Sequence, residues 1–265
     1  MSATPGIADS KCVLVIGATA GIGRALAASI HSLPSKPTVV VSGRRQQRLD
    51  ELCKTGLETI QFDANTDAKS LKAFVDDLLE RYPQLDTIVF SAAVQQEFDF
   101  AKPETIDLKK FYSELNLNYV MIVTLITYLL PHFFKLGEQG QPCFIVPITS
   151  NLGIAPGAWT PCYSATKAAL HSLSLSLNEQ LKDTNVHIME IMPPLVESEL
   201  HDTAGNTGKV AKYWMPLEMF VHDVMEGLKR GDRTIAVGLS REQYERFEKG
   251  KEDVVHQTME VWKTW

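Results

Sequence analysis

The sequence predicts an α/β domain, doubly wound, with a mainly parallel seven-stranded sheet flanked by helices. Three observations carry this. Short apolar runs of strand length alternate with amphipathic helical stretches between residues 12 and 237. A glycine-rich turn joins the first run to the first helix. Links between successive segments are short, which suits right-handed crossovers between parallel strands.

The first strand is Cys12 to Ile16. The turn Gly17, Ala18, Thr19, Ala20, Gly21, Ile22, Gly23 follows, and Arg24 to Ile30 continues as a helix. Free N–H groups and the helix dipole make such a turn an anion site, and glycines let a pyrophosphate approach the backbone. The next strand, Val39 to Val41, ends in Ser42, Gly43, Arg44 and Arg45. A cofactor with a free ribose 2'-hydroxyl wants a carboxylate there. Two Arg stand there instead and suit a 2'-phosphate, so the expected cofactor is NADP(H).

A helix at about 45–54 leads to a strand at 58–62. Asp63 and Ala64 lie just beyond it, where Asp63 could reach an adenine edge. Asp67 is placed to cap a helix at about 68–81. The fourth strand, 86–90, exits into Ser91, Ala92 and Ala93, small residues suited to packing beside a ribose. An irregular loop with Gln95 and Gln96 comes next, followed by a long helical region at roughly 105–135. Asn116 and Asn118 interrupt its apolar pattern and need partners.

Phe144 to Ile148 is the fifth strand, with Thr149 and Ser150 at its end. After a Gly/Pro loop a helix runs from about 161 to 182. Tyr163 and Lys167 share one face of it, one turn apart. A phenol titrates near ~10, and an adjacent cation favours the phenolate. Ser150 could donate to a carbonyl oxygen while Tyr163 delivers a proton. Strand six, 186–191, exits into Met192, Pro193, Pro194, Leu195, Val196, Glu197 and Ser198. Residues 195–215 suit a small cover over a pocket. A helix from about Pro216, a short strand at 234–237 and a charged helical tail at 240–265 complete a single domain, 1–265.

Net charge is −6 with signs interspersed, and no basic block points to nucleic acid or an anionic membrane. The four Cys have neither metal-ligand spacing nor a disulfide framework, so a reducing, cytoplasmic setting and no metal are expected. Residues 1–10 lack signal-peptide features. The apolar stretch near 119–136 is broken by Thr, Tyr and Pro and reads as a buried or interface helix, not a membrane span.

These residues together resemble the short-chain dehydrogenase/reductase family over about residues 10–240, and within it the cytosolic NADP-dependent carbonyl reductases of benzil and sepiapterin type. The resemblance implies a Rossmann fold. Gly17, Gly21 and Gly23 match the family's glycine motif, Asp63 its adenine-side Asp, and Ser150, Tyr163 and Lys167 its Ser, Tyr and Lys. Asn118 matches its helix-four Asn better than Asn116 does, and would hold a water linking Lys167 to solvent. Pro193, Val196 and Ser198 fall on the segment that lies against the nicotinamide. Phe90-Ser91-Ala92-Ala93 departs from the usual Asn-Asn-Ala-Gly, and Pro194 replaces a Gly.

The implied activity is NADPH-dependent reduction of a small ketone or diketone, with Tyr163 as acid and Lys167 lowering its pKa. Gln95, Leu152, Ala155, Trp159, Val196, His201, Tyr213 and Trp214 are expected to wall the substrate beside Ser150. The same residues would also catalyse alcohol oxidation. A nucleotide-binding regulatory protein predicts loss of Ser150, Tyr163 or Lys167, and all are present. A serine hydrolase needs a Gly-x-Ser-x-Gly elbow, which is absent around Ser150. The helices at about 105–135 and 161–182 are expected to form a homodimer or homotetramer interface.

Overall fold

Every residue of β1 (Cys12–Ile16) is buried. Its side chains alternate between two layers. Val13 and Val15 join one cluster with Leu26, Ile30, Phe220 and Leu228, whereas Leu14 and Ile16 join another with Phe74, Leu125 and Leu170. A strand apolar on both faces belongs between two layers of helices. The computed structural model describes residues 4–201, 208 and 211–264, and it places β1 inside a parallel sheet. The other strands of that sheet are β2 (Thr38–Gly43), β3 (Glu58–Gln61), β4 (Thr87–Phe90), β5 (Cys143–Pro147) and β6 (Val186–Ile188). Their order is β3-β2-β1-β4-β5-β6, and every pairing is parallel. The order reverses between β1 and β4, which leaves a crevice beyond their C-terminal ends.

Helices α1 (Gly21–His31) and α2 (Gln46–Cys53) cover one face, and α3 (Ala68–Arg81) the other. Asp67 caps α3, its carboxylate accepting from the Ser70 amide at 2.8 Å. The long helical region has three parts: α4 (Leu108–Leu115), a wide π-helical turn (Asn116–Val120) and α5 (Met121–Glu138). Asp107 caps it at 2.9 Å from the Lys109 amide. This 31-residue run is long and apolar enough to cross a bilayer. It packs as a core helix, with Ile122, Leu125, Leu129 and Phe133 of α5 buried against the sheet. Next comes α6 (Pro161–Gln180), whose first residue is the proline that tolerates helix position one.

The expected sixth strand is split. Its second half, β7 (Glu190–Met192), pairs with β8 (Thr234–Ala236) in a separate two-stranded ladder. The seven expected strands are thus eight segments. At Met189 the chain changes partner: the Met189 amide donates to Ile145, and the Glu190 amide turns to Arg233. A bridge between Ile148 and Ile191 ties the second half to the end of β5.

Between β7 and β8 lies α7 (Leu217–Arg230), which joins α1 on its face and ends on Gly231 at φ 74°. The expected cover is described in part, since 202–207 and 209–210 lie outside the described residues. Its two flanks pair: Met215 donates to Leu195 at 2.8 Å, and Glu197 donates to Met215 at 3.0 Å. The tail folds as α8 (Leu239–Phe247) and α9 (Lys251–Trp262), with α9 against α6.

Candidate active site

The crevice is a cavity of about 570 Å³. Its floor is the glycine turn. Gly17 has φ 86°, and a Cβ there would lie 2.5 Å from the Ala92 nitrogen, so only glycine lets β1 and the β4 exit meet. Gly23 packs below, where a Cβ would sit 2.6 Å from the Gly17 carbonyl oxygen and 2.8 Å from Ser91 Oγ. The small residues after β4 serve this close approach, which is the physical use of the Ser91-Ala92-Ala93 departure. No side chain caps the N-terminus of α1, so its free N–H groups face the cavity.

Of the expected site residues, Gly17, Thr19, Ala20, Gly21, Ile22, Arg44, Arg45, Asp63, Ala64, Ser91, Ala92, Ala93, Gln95, Ser150, Leu152, Trp159, Tyr163, Lys167, Pro193, Val196 and Ser198 line this cavity. Gly23, Asn118, Ala155, Tyr213 and Trp214 do not. Tyr213 is 71 % exposed with Lys212 over its ring, so it stands away from the wall expected of it. The side chain of His201 lies outside the described residues. A smaller hollow of about 330 Å³, lined by Phe98, Phe100, Pro103, Ile106, Leu108, Phe111 and Cys162, is apolar apart from its thiol.

Ser150, Tyr163 and Lys167 are all buried at the end of β5 and the start of α6. Ser150 Oγ accepts from the Leu152 amide at 3.1 Å. Lys167 Nζ donates to the Ile148 carbonyl at 2.7 Å and lies 5.5 Å from the centre of the Tyr163 ring. Burial pushes the Tyr163 phenol above its ordinary value, a hydrogen bond with Ser150 pulls it down, and the Glu114 charge raises it. Burial thus opposes the lowering of the phenol expected from the neighbouring Lys167 cation. Burial brings Lys167 itself down to about 8, against the carboxylates of Glu114 and Glu190.

Asn118 is fully buried behind this set. Its Oδ1 accepts from the Val94 amide at 3.0 Å, and its Nδ2 donates to the Val94 carbonyl at 2.9 Å and to Thr166 Oγ1 at 3.3 Å. The side chain is committed to the β4 exit and to α6. Asn116 instead reaches Asn65 Oδ1 at 2.7 Å.

Two buried acids were not anticipated. Glu114 has no exposure; one oxygen accepts from the Gln96 amide at 2.7 Å and the other has no partner. Burial raises it to about 7, against the pull of the Gln96 amide and the Lys167 charge. Glu190 accepts from Thr149 Oγ1 at 2.6 Å and from His171 Nδ1 at 2.9 Å. The other ring nitrogen of His171 meets Glu248 at 3.0 Å. Burial lowers the imidazole, but the two carboxylates outweigh it and lift it to about 8. The signal for both acids was a charged residue inside an apolar pattern: Glu114 one turn before Asn118, Glu190 within a strand.

At the other end of the cavity, Arg45 donates from Nε and Nη2 to Thr19 Oγ1 at 3.0 and 2.9 Å. Its Nη1 meets Glu199 at 2.7 Å, and Arg48 Nη1 meets the other Glu199 oxygen at 2.6 Å. The Arg pair thus already holds one anionic group. Together with the uncapped α1 terminus and the Gly17 cradle, it fits a phosphorylated dinucleotide.

Residues 11–208 match a family profile described as short chain dehydrogenase. The chain is 36 % identical over 228 residues to an uncharacterised oxidoreductase, DltE, of Bacillus subtilis, covering 85 % of this chain and 87 % of that one. It is 28 % identical to sulfoacetaldehyde reductase 2 of Chromohalobacter salexigens, over 72 % and 74 % of the two chains. A solved structure, the closed form of a serine dehydrogenase complexed with NADP+, superposes with TM-score 0.72 at 26 % identity, covering 84 % and 93 %.

Proposed function

Since the chain belongs to the short-chain dehydrogenase family, we propose that it reduces a small, moderately apolar ketone or diketone to an alcohol with NADPH. The observation that carries this is that Ser150, Tyr163 and Lys167 line one wall of the cavity, with Lys167 buried 5.5 Å from the centre of the Tyr163 ring. NADPH, when bound, supplies the hydride. The glycine turn and the α1 N-terminus would hold its pyrophosphate, and Arg44 and Arg45 its 2'-phosphate. The serine dehydrogenase relative, complexed with NADP+, supports that assignment.

The chain's own residues do the rest. Ser150 donates to the substrate's carbonyl oxygen and fixes its position. As negative charge develops on that oxygen, Ser150 and the Tyr163 hydroxyl stabilise it. Tyr163 then gives its proton to the oxygen, completing the alcohol, and the buried Lys167 ammonium stabilises the phenolate left behind. Leu152, Trp159 and Val196 supply apolar wall, and Gln95 a polar edge.

One domain carries all of this, with residues 195–215 as its cover, and it acts in the cytoplasm as a homo-oligomer. Exposed Leu108, Tyr112 and Val120 on the helical run of 108–138 support that region as the subunit contact. The reading is tested by following NADPH consumption over a panel of diketones, aryl ketones, quinones and sugars. Activity confined to sugars, or preference for NADH, would overturn it.

A further inference from the structure

Three cationic side chains, Arg44, Arg45 and Arg48, fall within five residues at the end of β2 and the start of α2. A helix N-terminus is an unfavourable place for them, because its dipole is positive there. For two of them, Arg45 and Arg48, the counter-charge comes from far along the chain. Glu199 stands just after Val196 and Ser198, on the segment that crosses the glycine turn; a Cβ on Gly21 would come 3.3 Å from Ser198 Cβ. Each Glu199 oxygen takes one guanidinium, Arg45 at 2.7 Å and Arg48 at 2.6 Å. Burial raises the Glu199 carboxyl, but its two Arg partners hold it below its ordinary value.

The geometry is built on the Arg side. Thr19 Oγ1 takes Nε and Nη2 of Arg45, and the Thr19 carbonyl accepts from Arg48 at 3.2 Å. A residue of the glycine turn therefore aims both guanidinium groups. Exposed ion pairs of this kind add little to fold stability, since these side chains are a third to nearly half exposed. Their position is more informative: they close the adenosine end of the cavity, which Glu199, Thr19 and Arg45 all line.

We propose that Glu199 is a specificity-determining residue, an internal anion that competes with a nucleotide 2'-phosphate for Arg45 and Arg48. This rests on the NADP(H) reading of the same site. A carboxylate and a phosphate monoester cannot both take the inner face of the two guanidinium groups, because their like charges would lie within contact distance. A 2'-phosphate must displace Glu199 and so releases the 195–201 segment from the glycine turn. A nucleotide without the phosphate leaves the bridge in place. Arg48 thereby joins Arg44 and Arg45 as a phosphate ligand.

The test is calorimetric titration of 2',5'-ADP and of ADP into the full chain, the Glu199→Gln variant and a Glu51→Gln control. Glu51 is an acid on the same helix that pairs with Arg24 instead, at 3.6 Å. The expected result is at least fivefold tighter binding of 2',5'-ADP to Glu199→Gln, with ADP binding unchanged and the control like wild type. Wild type and Glu199→Gln favouring 2',5'-ADP over ADP equally would overturn the competitor role and leave the NADP(H) reading intact. No preference in either protein would overturn both. Weaker 2',5'-ADP binding in Glu199→Gln would make Glu199 a strap over the nucleotide, and would also overturn the proposal.

Discussion

The ammonium of Lys167 is pinned to the carbonyl oxygen of Ile148 at 2.7 Å. That bond fixes the start of α6 to the end of β5, so the helix that carries Tyr163 and the strand end that carries Ser150 cannot drift apart. Lys167→Met keeps the length of the side chain but leaves a buried carbonyl unpaired and removes the cation beside the phenol. Turnover should fall by about 100-fold or more, and the thermal midpoint should drop as well. Unchanged turnover in steady-state assays would remove Lys167 from the reaction.

Tyr163→Phe deletes one buried hydroxyl and keeps the ring. NADPH consumption should fall by roughly 10²–10⁴-fold, the usual range for losing a positioned acid. NADPH binding, read by fluorescence titration, should survive. Full activity in this variant would mean that another group protonates the product.

Glu114 makes stability depend on pH. Its folded value, about 7, lies above the ordinary 4.5. Its contribution is therefore fully present below about pH 4.5 and is lost as pH rises through 7. Glu114→Gln should abolish that loss, stabilising the protein at pH 8 by up to about 3 kcal/mol. The retained amide oxygen can still accept from Gln96. Denaturant melts at pH 5 and pH 8 check this, and parallel slopes for both proteins would refute it.

His171 works in a higher window. Its value is raised from 6.5 to about 8 by Glu190 and Glu248. The stability it adds is complete below about pH 6.5 and fades as pH climbs through 8. Against His171→Gln, wild type should hold an advantage of about 2 kcal/mol near pH 6, shrinking by pH 9. Thermal melts of both proteins across that range measure the difference.

Asn118→Leu should cost about 2–4 kcal/mol, because both backbone groups of Val94 lose their partner inside the fold. The same variant should weaken substrate turnover through the loop that carries Gln95. A variant as stable as wild type would show that water replaces the amide.

Much of the fold was legible because the signals were local and repeated. The apolar run Cys12 to Ile16, the glycines after it and Asp67 before α3 each say what their own segment does. The Ser150, Tyr163 and Lys167 set was legible through helical spacing and the strand end. Tyr213 and Trp214 do not line the cavity, and an aromatic pair in sequence does not reveal which way its side chains point. The split at Met189 was invisible because β6 and β7 read as one apolar run, and only pairing with distant Ile145 and Arg233 divides them. Glu199 reaches Arg45 across more than 150 residues, a relation that no local pattern carries.

The wide turn at Asn116–Val120 inserts one residue into an otherwise regular helix. One residue is about 100° of rotation. The two halves therefore run out of phase, so α5 can present its apolar stripe to the sheet while Glu114 and Asn118 look toward the β4 exit. A single-residue deletion here would act as a change of reading frame in space, restoring a smooth helix and forcing one half to surrender its face. This stretch should tolerate many substitutions on its outer side and almost no change in length.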